Sequence, residues 1–235
     1  MGNSKDIELN VVIPMAGSGT RFSDAGYKLP KPLIDVKGVP MIKAVVKNLN
    51  LLANYFFIIQ KQHIEEYNLS SILDGTFIET NELTQGAACS VLLAEKYINN
   101  NTPLLIANSD QILDWNSFEF LSNSAKDGSI VTFNSNEDKW SYARVENNLV
   151  KEVAEKKVIS NNATSGIYYW SKGKNFVYYT KQMISKDIRT NNEFYVCPVF
   201  NEAIQDGLEF NTFQADNMYG IGTPEDLNKY LKLNV

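Results

Sequence analysis

Val11-Val12-Ile13-Pro14-Met15-Ala16-Gly17-Ser18-Gly19-Thr20-Arg21-Phe22, followed shortly by Pro30-Lys31-Pro32-Leu33, is the stretch that decides the fold. An apolar run that reads as a buried strand ends in a loop of small residues. Arg21 closes the loop, and Lys31 stands between prolines just downstream. A loop of this kind can wrap backbone N–H groups around a polyphosphate, and the two cations add fixed positive charge beside it. Two common phosphate motifs fail on the residues. A Walker loop needs Gly-Lys-Ser/Thr where Gly19-Thr20-Arg21 stands, and the dinucleotide fingerprint needs a third small residue where Phe22 stands. The glycines alone also suit a plain strand-to-loop turn.

A chain of 235 residues, 44% hydrophobic and 21% charged, has the make-up of an ordinary globular protein with room for a large core. Its net charge of -5 leaves no basic footprint, which argues against a nucleic-acid partner. Anionic ligands would be held by local cations instead. Cys89 and Cys197 lie in apolar contexts without CxxC spacing, so a reduced, cytoplasmic protein is expected, with no disulfide and no cysteine metal site. The polar N-terminus lacks the apolar core of a signal peptide, and Asp6 breaks the myristoylation pattern that Met1-Gly2 begins. No apolar run is long enough to insert into a membrane. His63, the single histidine, lies in what reads as an exposed helical start, and no nucleophile elbow accompanies it. The chemistry is therefore expected to need no protein nucleophile.

Strand-like runs at Leu9–Met15, Tyr55–Gln60, Phe77–Glu79, Leu104–Ala107 and Ser129–Phe133 alternate with helical stretches at Met41–Leu52, Gln85–Tyr97 and Ser117–Ala125. That alternation predicts an α/β fold with a parallel sheet and helices on both faces. The middle of the chain changes character. Tyr142–Glu146 and Leu149–Val153 flank Asn147-Asn148, which suits a tight hairpin, and Gly166–Trp170 reads as a further strand. Thr223-Pro224-Glu225-Asp226 opens a capped helix. One unit over 1–235 is expected, its second half, from about residue 136, covering the mouth of the first.

From Val11 to Met41 the chain resembles the nucleotidyltransferases of GT-A-like fold, the nucleoside-diphosphate-sugar pyrophosphorylases and their relatives. There a strand, a small-residue loop ending in Thr/Ser-Arg-Phe/Leu, and Pro-Lys-Pro-Leu follow one another. The likeness covers nearly the whole chain, with the N-terminal segment its specific part. Pro14-Met15-Ala16-Gly17 and Ala25-Gly26-Tyr27-Lys28 bring it closer to a branch of CTP:phosphoglutamine cytidylyltransferase type, which serves bacterial capsule and surface-polysaccharide pathways. The resemblance implies a mostly parallel, Rossmann-like sheet with a small β-rich acceptor-binding subdomain. It implies transfer of a nucleoside monophosphate, CMP in that branch, from a triphosphate to a phosphorylated acceptor, with Mg²⁺ as cofactor. A homo-oligomer is compatible with it.

The candidate residues follow. Arg21 and Lys31 are the catalytic cations, and Met15, Ala16, Gly17, Ser18, Gly19 and Thr20 form the nucleotide loop. Asn108 and Ser109 fall at the C-terminal end of a buried strand, where open parallel sheets bind ligands. Asp110 follows them and, by resemblance, holds the metal with Asp216 as second ligand. On its own Asp110 also suits an Asx turn or a helix cap. Gln85 and Gly86 line the base pocket in the family, though small residues at a helix start also serve close packing. The resemblance places Lys156 on the acceptor's phosphate, with Gly166, Glu193 and Tyr195 nearby. The alternatives are a sugar-1-phosphate uridylyl-, thymidylyl- or guanylyltransferase, or a GT-A glycosyltransferase. The last typically carries Asp-x-Asp, whereas Gln111-Ile112 follows Asp110.

Overall fold

The computed structural model describes residues 9–233; Met1-Gly2 and Asp6 lie outside them. The opening apolar run is strand β1 (Asn10–Pro14), and helix α1 (Thr20–Asp24) follows the loop. Gly19 makes that junction at φ +64°, a conformation that costs glycine little. Lys31–Leu33 is a 3-10 turn, after which β2 (Asp35–Val36) and β3 (Val39–Pro40) form a small ribbon. Helix α2 (Met41–Leu49) is shorter than expected because Asn50 takes a left-handed conformation, φ 49°, and stops it. Then come β4 (Asn54–Gln60), α3 (Lys61–Glu66) and β5 (Thr76–Thr80). The single helix expected over Gln85–Tyr97 is two, α4 (Ala87–Leu92) and α5 (Glu95–Ile98), because the chain tightens at Ala94, whose N–H bonds the Val91 carbonyl at 3.0 Å. Strand β6 (Leu104–Ala107) completes a parallel set: β1 lies between β4 and β6, and β5 adds beyond β4. Val12, Leu104 and Ile106 enter one apolar layer and Val11, Ile13 and Leu105 the other. Burial on both faces is why these strands read as unbroken apolar runs.

The second half begins with β7 (Gln111–Asp114), α6 (Ser117–Ser122) and β8 (Gly128–Asn134). Strands β9 (Tyr142–Glu146) and β10 (Leu149–Ala154) form the expected hairpin, with Asn147 and Asn148 at φ 50° and 62°. Strand β11 (Asn162–Trp170) starts earlier than the sequence suggests. It runs antiparallel to β6 through Ile167–Trp170 and also pairs with β8 and β9. Its register shifts between Thr164 and Tyr168, around Gly166 at φ +81°. Helices α7 (Gly173–Ser185) and α8 (Val199–Gln205) lead to β12 (Phe210–Gln214), parallel to β8, and β13 (Asn217–Gly220), antiparallel to β7. Helix α9 (Pro224–Leu231) begins as expected, Thr223 Oγ1 accepting the Asp226 N–H at 3.1 Å. One continuous sheet thus joins a parallel half to a mostly antiparallel flank through β11. Trp170, fully buried, anchors that junction with its ring 4.5 Å from Phe200 and 5.0 Å from Phe210.

Candidate active site

Two adjoining cavities open beyond the C-terminal ends of β1 and β6. The first, about 550 Å³, is lined by Met15, Gly17, Ser18, Gly19, Thr20 and Arg21 of the loop, and by Asn108, Ser109 and Asp110. The second, about 490 Å³, is walled by the antiparallel flank, with Ser141, Glu155, Lys156, Thr164, Gly166 and Tyr168. Arg21, Lys31, Asn108, Asp110, Tyr195 and Gly222 border both. A larger concavity, about 1220 Å³, lies at the N-terminal ends of β4 and β5 and contains none of these residues, so size does not mark this chemistry.

The shared wall is charged. The Lys31 ammonium donates to Asp110 Oδ2, and both side chains remain about one-quarter exposed. The pair sits where the 3-10 turn faces the end of β6. Gly222 leaves room for it, since a Cβ there would collide with the Asp110 carboxylate. Arg21 is exposed and, among the described residues, makes no ion pair, so its fork of donors faces solvent beside the loop. Ala16 is the loop residue that lines neither cavity; it is buried behind the loop, its carbonyl accepting from Gln60 Nε2 at 3.0 Å.

Glu155 and Lys156 follow β10. The Lys156 ammonium donates to Tyr195 Oη at 2.6 Å and lies 4.7 Å from the centre of that ring. Ser141 Oγ donates to the Glu155 carboxylate. Burial pushes the Glu155 carboxyl up, against the lowering effect of the Ser141 hydrogen bond and the Lys156 charge. Tyr168 Oη lies 2.9 Å from Thr164 Oγ1, and burial raises the Tyr168 phenol and the Cys197 thiol well above their ordinary ranges. Gly166 is confined by Asn108 and Gln111, whose amide groups a Cβ would strike.

Several expected residues stand elsewhere. Asp216 does not join Asp110. In the β7–β13 ladder Asn217 lies opposite Asp114 and Gly220 opposite Gln111, so roughly 10 Å of extended chain separates the two ends. Asp216 is exposed at the far end and lines neither cavity, while Asp226, on α9, lines the second. Gln85 also lines neither cavity; its Oε1 accepts from Arg189 Nη2 at 2.7 Å. Gly86 makes its close approach to the Phe194 backbone rather than to open space. Glu193 faces the first cavity, not the second. His63 is half-buried on α3, outside both cavities, its pKa lowered by burial. Sequence reasoning missed Ser141, Thr164, Tyr168 and Asp226 as lining residues. Asp226 reads as an ordinary helix-start acid, Tyr168 as a strand residue, and Ser141 and Thr164 lie just ahead of the strands expected from Tyr142 and Gly166.

Among the described residues no three His, Cys, Asp or Glu side chains gather as a metal cluster. Magnesium needs no such cluster, because one or two carboxylates with substrate phosphates suffice. Asp110, partly exposed between the two cavities, fits that mode.

Residues 10–232 match the family described as Nucleotidyl transferase. The Bifunctional protein GlmU of Methanococcus aeolicus is 24% identical over 230 residues, 93% of this chain and 53% of that protein. The chain spans about half the length of the curated relatives it matches. Among solved structures, the nucleoside-diphosphate-sugar pyrophosphorylase of Vibrio cholerae superposes with a TM-score of 0.81 at 22% identity, over 95% of this chain and 100% of that one. The inositol-1-phosphate CTP transferase from T. maritima gives 0.73 at 16% identity, over 96% and 97%. At these identities the likeness speaks for the fold.

Proposed function

Because the chain belongs to the nucleotidyl transferase family, we propose that it moves a nucleoside monophosphate, CMP from CTP, onto a small phosphate monoester and releases pyrophosphate. The observation that carries this reading is the shared wall: two cavities, each of small-ligand size, meet at Lys31 and Asp110. Two substrates seated there would touch at one charged boundary.

In the reaction an acceptor phosphate oxygen forms a bond to the α-phosphorus, and the bond from that phosphorus to the bridging oxygen of the β-phosphate breaks in line. Both reactants are anions, so positioning and charge stabilisation dominate. The loop N–H groups and Arg21 hold the departing pyrophosphate, and Lys31 offsets charge at the α-phosphate. Lys156, oriented by Tyr195, holds the acceptor's phosphate. Asp110, together with phosphate oxygens, would hold Mg²⁺, which supplies Lewis-acid polarisation when bound. An acceptor phosphate is already deprotonated enough to attack, so no protein nucleophile is required. That agrees with a sole histidine outside both cavities.

CTP is favoured by the Pro14-Met15-Ala16-Gly17 loop and its likeness to the cytidylyltransferase branch, and a capsule or surface-polysaccharide pathway comes with that likeness. Discrimination from UTP would come from hydrogen bonds at the ring's 4-position, worth about 1–3 kcal/mol. A sugar 1-phosphate acceptor is the second reading, favoured by the fold shared with the Vibrio cholerae pyrophosphorylase. Both cysteines are free, which supports a cytoplasmic enzyme; among the described residues no helix is long and apolar enough to cross a membrane.

Pyrophosphate release, measured for each nucleoside triphosphate against a panel of phosphate monoesters, tests the proposal. A higher kcat/KM with UTP or dTTP overturns the cytidylyl reading. No release with any pair overturns the transferase reading.

A further inference from the structure

The segment from Asp187 to Tyr195 passes beside both cavities: Glu193 lines the first and Tyr195 lines both. Its regular structure is slight. Thr190 and Glu193 form one isolated bridge, and Asp187, Asn191 and Asn192 turn the chain at φ 52°, 48° and 64°. Without a strand partner along its length, such a segment relies on side-chain contacts beside its few backbone hydrogen bonds.

Arg189 supplies four of them. Its Nη2 donates to Gln85 Oε1 at 2.7 Å, its Nη1 to the Asn192 carbonyl at 3.1 Å, and its Nε to Asp187 Oδ1 at 2.5 Å. The guanidinium carbon lies 4.0 Å from the centre of the Phe194 ring. Phe194 is in turn tied to the start of α4. Its N–H donates to the Gln85 carbonyl at 2.8 Å, and its carbonyl accepts from the Ala88 N–H at 3.0 Å. The next residue is Tyr195, which accepts from Lys156. Contacts therefore run unbroken from Gln85 through Arg189 and Phe194 to the cation of the second cavity. Arg189 itself lines neither cavity, so it can act there only through others.

We propose that Arg189 is a positioning residue: it clamps the 187–195 segment to Gln85 so that Tyr195 presents Lys156 to the acceptor's phosphate. This rests on reading the second cavity as the acceptor's. The clamp needs a planar fork that bonds in three directions while stacking on a ring, which lysine cannot supply.

The test combines amide hydrogen exchange on the full chain with steady-state kinetics of Arg189→Leu, Arg189→Lys and Gln85→Leu. The substrates are CTP and whichever phosphate monoester gives wild-type protein the fastest pyrophosphate release. Arg189→Leu should lower protection of the Phe194 amide by ~10-fold or more while β1 and β6 keep theirs. It should raise the acceptor KM by roughly 10-fold and leave the CTP KM within about 2-fold. Gln85→Leu should shift the same constant, and Arg189→Lys should restore little of it. Combined with Lys156→Ala, the effect on acceptor KM should fall short of the product of the single effects, because both changes disable one contact chain. Equal shifts in both KM values, multiplicative behaviour with Lys156→Ala, or lowered kcat with unchanged KM overturns the proposal. If wild-type protein releases no pyrophosphate with any pair, the transferase reading fails by itself. The clamp is then judged by exchange alone, and unchanged protection at Phe194 overturns it.

Discussion

Lys31 and Lys156 carry the same charge, but Lys31 borders both cavities and Lys156 only the second, and their removal should read out differently. On the proposed reaction Lys31 stands where charge grows during transfer, so Lys31→Ala should lower kcat by ~10²-fold or more. Lys156 belongs to the second cavity alone, so Lys156→Ala should raise the acceptor KM and leave the nucleotide KM nearly unchanged. Varying each substrate in turn checks both. Asp110→Asn should keep the fold, since the Lys31–Asp110 pair is partly solvated and such pairs stabilise by only about 0–1 kcal/mol. It should remove most Mg²⁺-dependent turnover, and unchanged kcat at saturating Mg²⁺ would sink the assignment. Glu155 yields a prediction of another kind. Its carboxyl is raised by burial, so the folded protein binds that proton more tightly than the unfolded chain does. Its contribution to stability is therefore most favourable below the ordinary glutamate range and declines as pH rises through the elevated pKa. Glu155→Gln should melt above wild type at neutral pH, the gap closing in acid; a pH series of thermal midpoints decides it. At this scale the sequence shows the loop, Lys31 and Asp110, because each follows a local pattern. It does not show that Asp216 and Gln85 stand apart from the cavities, because a ladder register and a side-chain partner put them there.

Elements were legible where one signal sufficed. The apolar runs of β1, β4 and β6, the paired asparagines of the β9–β10 hairpin and the cap of α9 all announce themselves. Strand β11 was half hidden. Its first residues, Asn162 to Ser165, read as polar, yet Thr164 is 3% exposed and Ser165 is fully buried. Thr164 finds its partner in Tyr168, across the register shift, which no local pattern reveals. The kink at Gly166 is the most sensitive point of the element. Gly166→Ala puts a side chain at φ +81° and against Asn108, a cost of about 1–3 kcal/mol from backbone strain before any collision is counted. The variant should show a lowered denaturation midpoint and, because Asn108 borders both cavities, weakened turnover. A variant as stable and active as wild type would show that the kink is not required.

Over the whole molecule, the sheet passes without interruption from β5 to β10, and Trp170 packs where its two styles of pairing meet. We infer that the two halves unfold together. Urea transitions followed by far-ultraviolet circular dichroism and by tryptophan fluorescence should coincide. Trp170→Ala should destabilise both halves in one step by about 3–5 kcal/mol. Two separated transitions would mean that each half keeps its own stability. The alternation of strands and helices made the parallel half readable in advance. The antiparallel pairing of β11 with β6 was not, since it joins segments far apart in the chain.

The bend in β11 has a further consequence for descent. The small-residue loop and Asn108 hang on the ends of the parallel strands β1 and β6, whereas Ser141, Glu155 and Thr164 in the wall of the second cavity hang on a hairpin and one kinked strand. If the second cavity takes the acceptor as proposed, inherited changes at Ser141, Glu155 or Thr164 should alter what it admits while leaving β1, β6 and the small-residue loop in place. On that reading a duplicated gene could diverge toward a new partner molecule while inheriting its reaction intact, and lineages built on this arrangement should diversify at the second cavity and stay constrained at the first.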